Sequence, residues 1–402
     1  MKKFITFVIT VFTISNNCFA QWIQQSSGTT SLLKGVFFMN ENTGTVVGDN
    51  GKILRTTNGG SNWTSQSSGT PVHLSGVYFL NANTGTVVGE VGTIRKTTNG
   101  GINWISQSSG TINHLISVCF TDVNTGTAVG NWSTILRTTD GGTNWIPQTI
   151  GTLLTQYLCV DFVNANTGTV VDFNGRICKT TNGGTNWTLY ISGADFCASV
   201  SFADENTGVV VGGNFSNEGM IFRTTNGGTN WIAQSNLMTM HCVFLMNANT
   251  GIIVGNGALR TTNSGETWTS NGVVAGYSVY FANSTTGTVV GELGNIFRTT
   301  NGGSTFVSQV SIEIPERFFL SQNYPNPFNP KTNIKLDLPN KSFVKLVIYD
   351  MLGKEVSLLI NEKLDAGSYQ AEWNASDFPS GVYIYKIETE SFVQTKSMVL
   401  TK

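Results

Sequence analysis

The segment Arg55-Thr56-Thr57-Asn58-Gly59-Gly60-Ser61-Asn62-Trp63 reveals the architecture, because it returns along the chain. Copies end at Trp104, Trp145, Trp187, Trp231, Trp268 and, with Phe replacing Trp, at Phe306, at spacings of 41, 41, 42, 44, 37 and 38 residues. A second phrase precedes each copy. It reads Val36-Phe37-Phe38 and then Asn42-Thr43-Gly44-Thr45-Val46-Val47-Gly48, echoed at 77–89, 118–130, 160–172, 200–212, 243–255 and 279–291. Seven units of about 40 residues therefore follow one another. Each holds four runs rich in Val, Ile, Phe and Thr, broken by Asn-Thr-Gly, by a Gly near position 51 and by Asn-Gly-Gly. Gly and Asn make these breaks turns because they accept positive φ. Four short strands per unit predict a blade, and seven blades predict an all-β propeller over residues 21–310. Runs such as Val46-Val47 and Ile53-Leu54 do not alternate, as strands covered on both faces need not.

Closure is legible too. Gln21-Trp22-Ile23-Gln24-Gln25-Ser26-Ser27-Gly28-Thr29 copies the outer strand of a unit, at 63–70, yet precedes the first inner strand. An outer strand supplied from the N-terminus can complete the last blade, where Phe306-Val307-Ser308 is a degenerate copy, and so remove an exposed edge.

Composition limits the function classes. The 402 residues carry 23 Lys+Arg against 24 Asp+Glu, and 12% charged residues. So few basic groups cannot neutralise many phosphates, which argues against nucleic acid as a partner. Beyond residue 20 no apolar run reaches the roughly 18 residues of a membrane-spanning helix. Residues 1–20 read as a secretory signal peptide, with Lys2 and Lys3 before an apolar stretch from Phe4 to Ile14 and a small-residue site at Ala20. Cys119, Cys159, Cys178, Cys197 and Cys242 remain in the mature chain. Without a Cys-x-x-Cys spacing they predict no metal or redox centre and no cofactor, and read as small buried hydrophobes. Cys159 and Cys242 hold the same position in different repeats, so their pairing depends on geometry alone.

The phrase at 56–63 resembles the Asp-box, or bacterial neuraminidase repeat, with Asn for Asp in every copy but Asp140. With Asn-Thr-Gly-x-x-Val-Gly upstream, the unit is similar to the repeats of the photosystem II assembly and stability factor family, which are seven-bladed propellers. The resemblance assigns structural turn roles to Asn58, Asn99, Asp140, Asn182, Asn226 and Asn263, and hairpin packing to Trp63, Trp104, Trp145, Trp187, Trp231 and Trp268. Sialidases also carry Asp-boxes, so a secreted glycoside hydrolase is the alternative reading. Asp49, Glu90 and Glu292, which recur after Val-Val-Gly, are its candidate carboxylates. Repeated acids are more often surface residues, however, and the Arg-Ile-Pro stretch of sialidases is missing. A photosystem assembly role is the second alternative.

The residue before Thr-Thr is always basic: Arg55, Lys96, Arg137, Lys179, Arg223, Arg260 and Arg298, seven of the eleven cations between 21 and 310. Sevenfold placement forms a ring with two readings. Either each cation packs along the neighbouring blade, or the ring is an electropositive rim that binds an extracellular glycan or protein. His73 and His114 share a repeat position and His241 does not, and all three read as repeat residues. Trp132, Phe173 and the insertion Asn214-Phe215-Ser216-Asn217-Glu218 break the pattern on the same turn of three successive blades, where they could build a ligand surface.

After residue 310 the blade phrase vanishes, and six of the eight prolines lie in 311–402. Strands expected at 334–338, 344–349, 369–373, 382–387 and 397–400 predict a small Ig-like β-sandwich. The pieces Asn323-Tyr324-Pro325-Asn326-Pro327-Phe328-Asn329-Pro330, Ile348-Tyr349-Asp350-Met351-Leu352-Gly353-Lys354-Glu355-Val356, Gly381-Val382-Tyr383-Ile384-Tyr385 and a basic end, Lys396-Ser397-Met398-Val399-Leu400-Thr401-Lys402, closely resemble the type A C-terminal sorting domain of the type IX, or Por, secretion system. That resemblance implies the secretion machinery as partner, and a destination at the cell surface or in the medium. The expectation is an exported propeller used as a binding or adhesion module.

Overall fold

The computed structural model describes residues 22–402 apart from 152–153, 272–273, 301, 304–306, 312 and 376–377. The expected signal peptide, and the Phe306 that replaces Trp, lie outside the described residues. The chain divides near residue 304 into two compact units.

The first unit is a propeller of seven four-stranded antiparallel sheets. Blade 1 is built from Leu33–Phe38, Gly44–Gly48, Lys52–Thr56 and Thr64–Ser67, hydrogen-bonded in that order. Blades 2 to 6 repeat it from Leu74, Leu115, Tyr157, Phe196 and Met240. The first strand of each blade lines a central channel. The second, Gly44–Gly48 in blade 1, is buried along its whole length because neighbouring blades cover both its faces. Its first glycine is a packing requirement, since a Cβ on Gly44 would lie 2.5 Å from the Phe38 ring.

Blade 7 contains Ser278–Phe281, Gly287–Val290 and Ile296–Thr299, and its fourth strand is Ile23–Gln25 from the N-terminus. The register pairs Ile23 with Arg298, Gln24 with Phe297 and Gln25 with Ile296. Trp22 anchors this clasp. Its ring is buried edge-on against Phe281 at 6.0 Å, and its Nε1–H donates to the Asn271 carbonyl at 3.1 Å. The degenerate copy at 307–308 is not part of the blade. Val307–Ser311 pairs instead with Gly367–Asn374 in the second unit.

The Asp-box turns are built by side chain to backbone hydrogen bonds. Asn58 Oδ1 accepts the Asn62 N–H at 3.0 Å and the Thr56 hydroxyl at 3.0 Å, while Thr56 Oγ1 accepts the Gly60 N–H at 2.8 Å. The same bonds recur at Asn99, Asp140, Asn182, Asn226 and Asn263. Gly59 and Gly60, at φ of 68° and 83°, supply the bend. The Trp that follows packs edge-on against the Phe ending the inner strand of its own blade. Trp63 meets Phe38, Trp104 meets Phe79, Trp145 meets Phe120, Trp187 meets Phe162 and Trp231 meets Phe202, at 5.9–6.3 Å.

The second unit holds two four-stranded antiparallel sheets around one core. One sheet orders Val307–Ser311, Gly367–Asn374, Lys331–Leu338 and Phe319–Leu320. The other orders Glu355–Leu364, Ser342–Tyr349, Gly381–Glu388 and Val393–Leu400. The five expected strands are present and longer than read. Glu355–Leu364 went unread because it mixes Lys363 and two glutamates into its apolar run. The Asn-Tyr-Pro-Asn-Pro-Phe-Asn-Pro segment is pinned to this core. Asn323 donates its backbone N–H to the Tyr385 hydroxyl at 2.9 Å and its amide to Thr332 Oγ1 at 2.9 Å, and Phe328 is buried against Trp373.

Candidate functional site: the channel mouth

All seven inner strands contribute to a cup of about 470 Å³ at the end of the channel where those strands begin. Aligned on the repeat's Val36, the column two residues earlier reads Lys34, Ser75, Ile116, Leu158, Ala198, His241 and Tyr277, and all seven line the cup. The neighbouring column is small: Gly35, Gly76, Ser117, Cys159, Ser199, Cys242 and Ser278. Small side chains leave the space; the variable column gives it chemistry.

The polar groups of the mouth are already organised. Lys34 Nζ lies 2.8 Å from Asp49 Oδ1, and His73 Nδ1 lies 3.0 Å from the same oxygen. His114 Nε2 and Ser75 Oγ are 2.8 Å apart. The His241 ring stacks on Tyr277 at 4.8 Å, and the Tyr277 hydroxyl donates to Glu292 Oε1 at 3.0 Å. Burial holds the His114 and His241 imidazoles below their ordinary range, which favours the neutral rings. Asp49, Glu90 and Glu292 stand on the turn between the second and third strands of blades 1, 2 and 7, which are consecutive around the ring. No cluster of three His, Cys, Asp or Glu able to hold a metal exists among the described residues.

The same turn carries aromatics in the next three blades. Trp132 and Phe215 are each 69% exposed and Phe173 is 43% exposed. These turns are therefore two-sided, with carboxylates on blades 7, 1 and 2 and aromatic rings on blades 3, 4 and 5.

One residue beyond the repeat's Val, the channel carries Phe37, Tyr78, Cys119, Asp161, Ser201, Phe244 and Tyr280. Phe37 touches Tyr78 and Tyr280 at 4.9 and 4.5 Å, and Phe244 touches Tyr280 at 4.7 Å. Asp161 Oδ2 accepts the Phe202 N–H at 2.6 Å, but desolvation outweighs that bond and pushes its carboxyl up to about 6. The folded state thus binds more protons than the unfolded chain between about pH 4 and 6, so Asp161 lowers stability as pH rises through that window. Asp161→Asn is expected to raise Tm at pH 7.5 by several degrees and to leave it nearly unchanged at pH 4. A calorimetric pH series checks this, and an equal shift at both pH values would refute it.

The five cysteines are free thiols. Ser199 Oγ lies 3.9 Å from Cys159 Sγ and 3.8 Å from Cys242 Sγ. Burial pushes the Cys159 thiol up to about 11 and the Cys178 and Cys197 thiols up to about 12, which makes them poor nucleophiles.

The seven repeated cations do not lie at this mouth. Each reaches a backbone carbonyl of the following blade, near its Asp-box turn or its turn between first and second strands. Arg55 Nη2 donates to Ala82 O at 2.7 Å while Nη1 donates to Thr45 Oγ1 of its own blade at 2.8 Å. Arg137 does the same with Ala165 O and Thr127 Oγ1, and Arg298 reaches Glu41 O across the closure of the ring. Lys96 donates to Gly141 O, Lys179 to Gly227 O, Arg223 to Ser264 O, and Arg260 to the Gly302 carbonyl of blade 7. The Arg55, Arg137 and Arg298 guanidiniums also lie over the rings of Phe79, Phe162 and Phe38 at 4.9, 4.8 and 5.3 Å. Burial lowers the proton affinity of these three arginines and of Arg260.

The sequence reading missed Lys34, Ser75, Tyr277 and Asp161. Their signal was present, since columns that vary from unit to unit inside an otherwise faithful repeat are not needed for the blade. Recognising it required knowing that this column faces the channel.

Comparison with known proteins agrees with both units. Residues 322–401 match the family model of the secretion system C-terminal sorting domain, and residues 14–111 match that of photosynthesis system II assembly factor YCF48. The solved structure of YCF48 bound to D1 peptide superposes with a TM-score of 0.58 at 18% identity, covering 70% of this chain and 97% of that one. YCF48 from Cyanidioschyzon merolae gives 0.57 at 19% identity, covering 70% and 98%. The WD40 propeller domain of Doa1 gives 0.57 at 11% identity, covering 70% and 96%, so at this distance the likeness is one of fold. No curated protein matches the chain. The sorting domain marks a chain delivered by the type IX secretion system to the cell surface or beyond. The protein is thus a propeller resembling the YCF48 assembly factors, followed by a secretion system C-terminal sorting domain.

Proposed function

We propose that the protein is an exported binding module that captures its ligand at the channel mouth. The observation that carries this reading is a variable, chemically mixed lining at one end of the channel. The column from Lys34 to Tyr277 departs from the repeat and lines one cup, and the turns between second and third strands, at the same end of the blades, depart from it as well. A scaffold that repeats seven times while one face diversifies is the pattern of a binding surface on a rigid frame. A propeller of this fold, YCF48, has been solved with a D1 peptide bound, which supports use of the frame for holding a ligand. A photosystem partner fits poorly with a chain carrying an export tail.

The hydrolase alternative is less favoured. Of the three candidate carboxylates, Asp49 is bridged to Lys34 and His73 and Glu292 accepts the Tyr277 hydroxyl, which leaves Glu90 without a committed partner carboxylate for paired acid/base work. Two measurements test the reading. Deleting 318–402 is expected to leave the propeller inside the cell, and export of the truncated chain would defeat the sorting role. Mature protein on glycan and peptide arrays is expected to bind without turnover, and Tyr277→Ala with Lys34→Ala to weaken binding about tenfold or more. Turnover of a bound glycan would make the protein a hydrolase. Binding that ignores both substitutions would remove the ligand from this mouth.

A further inference from the structure

We propose that Trp132, Phe173 and Phe215 form a stacking platform, beside the cup, for a neutral polysaccharide chain; this rests on the binding-module reading and deepens it. The three rings occupy the same turn of blades 3, 4 and 5, where blades 1, 2 and 7 carry Asp49, Glu90 and Glu292. Phe173 and Phe215 are exposed, yet held. Phe173 stacks on Phe196 at 6.1 Å and 19°, and Phe215 closes the trio at 5.9 Å from Phe173 and 6.2 Å from Phe196. The Phe215 N–H donates to Asp195 Oδ2 at 2.8 Å, and Asn214 Oδ1 accepts the N–H groups of Ser216 and Glu218 at 3.1 and 3.0 Å. The insertion is therefore a tied loop that presents its aromatic ring, and presentation in a fixed position lowers the entropy cost of binding.

Trp132 takes the left-handed position that Asn50, Val91 and Leu293 hold on the same turn of blades 1, 2 and 7, which fixes where its exposed ring stands. Trp132 and Ser133 lie at φ of 55° and 56°, two successive left-handed residues, where the second position is Gly51, Gly92, Gly175 and Gly294 in blades 1, 2, 4 and 7.

The chemistry selects the occupant. Flat apolar ring faces near hydroxyl and imidazole groups, here the bonded pair Ser75 and His114, suit sugar rings, which present C–H faces and hydroxyl edges together. Asp195 and Glu218 flank the platform and repel anionic chains and anionic lipid surfaces. The mouth is built of strand ends and turns, so a peptide finds no sheet edge there to extend.

The test runs mature protein, residues 21–402, through native gels containing barley β-glucan, xylan, galactomannan or starch, with alginate as the anionic counterpart. Parallel arms use phosphatidylcholine–phosphatidylglycerol vesicles and a peptide array. At least one neutral polysaccharide is expected to retard the protein, and Trp132→Asn and Phe215→Ala each to weaken retardation about tenfold. Trp132→Asn is expected at the same time to raise Tm by about 2 °C, because Asn50 already holds this backbone conformation in blade 1. Retardation unaffected by either substitution overturns the platform. Capture by the vesicles or peptides alone, lost in the same variants, overturns the polysaccharide assignment while leaving a binding mouth; no capture in any arm overturns both.

Discussion

Trp22→Ala is expected to be among the most destabilising substitutions in the propeller. Truncating a buried Trp costs about 3–5 kcal/mol, and at about 2–4 °C per kcal/mol for a unit of this size Tm should fall by roughly 8–15 °C. The side chain fills space against Phe281 and its indole N–H satisfies the Asn271 carbonyl, so the substitution leaves both a void and an unpaired acceptor. Its position adds a further consequence. Trp22 precedes the three residues that complete blade 7, and loosening them exposes the Ile296–Thr299 edge. Unfolding should therefore lose cooperativity, and the variant should associate at high concentration. Scanning calorimetry with light scattering measures both. A Tm loss below about 3 °C would show that the ring closes without the clasp.

Arg137→Gln is the second large effect, and it separates the two readings of the cationic ring. The guanidinium bridges Thr127 of blade 3 to Ala165 of blade 4 and covers the Phe162 ring. Glutamine cannot span both acceptors. Losing a charge-assisted bond at about 1.5–3 kcal/mol and a cation–π contact at about 0.5–2 kcal/mol predicts a Tm drop of about 5 °C or more. Ligand capture by the folded protein at 25 °C should remain, because the side chain lies away from the mouth. An unchanged Tm with lost capture would restore the ring as the ligand surface. A matching loss for Arg55→Gln is expected, since Arg55 makes the equivalent bridge to Ala82 and Phe79.

Blade number, strand order and the N-terminal clasp could be read from the chain because a repeat states its fold seven times. Every Asn-Gly-Gly and Asn-Thr-Gly carries its turn chemistry in three residues, and errors in one copy are corrected by the others. The outer boundary was harder to place. Val307–Ser311 follows a degenerate Asp-box and looks like a last outer strand, but that place is taken by Ile23–Gln25. Two segments were candidates for one edge, and only the three-dimensional pairing assigns it.

The sevenfold blade, the turns, the closure and the sorting tail are legible in the chain alone, since each rests on local hydrogen bonding or on a pattern repeated in order. Tertiary structure decided what the repeated and unrepeated residues face. The cations at Arg55 and its equivalents form one column in sequence, and packing turns them onto the carbonyls of the next blade. Lys34, Ser75, His241 and Tyr277 look unrelated until seven first strands converge on one axis and set them around one cup. Convergence of residues some 40 positions apart is a property of ring closure, whose contacts are long-range, and no local pattern encodes it.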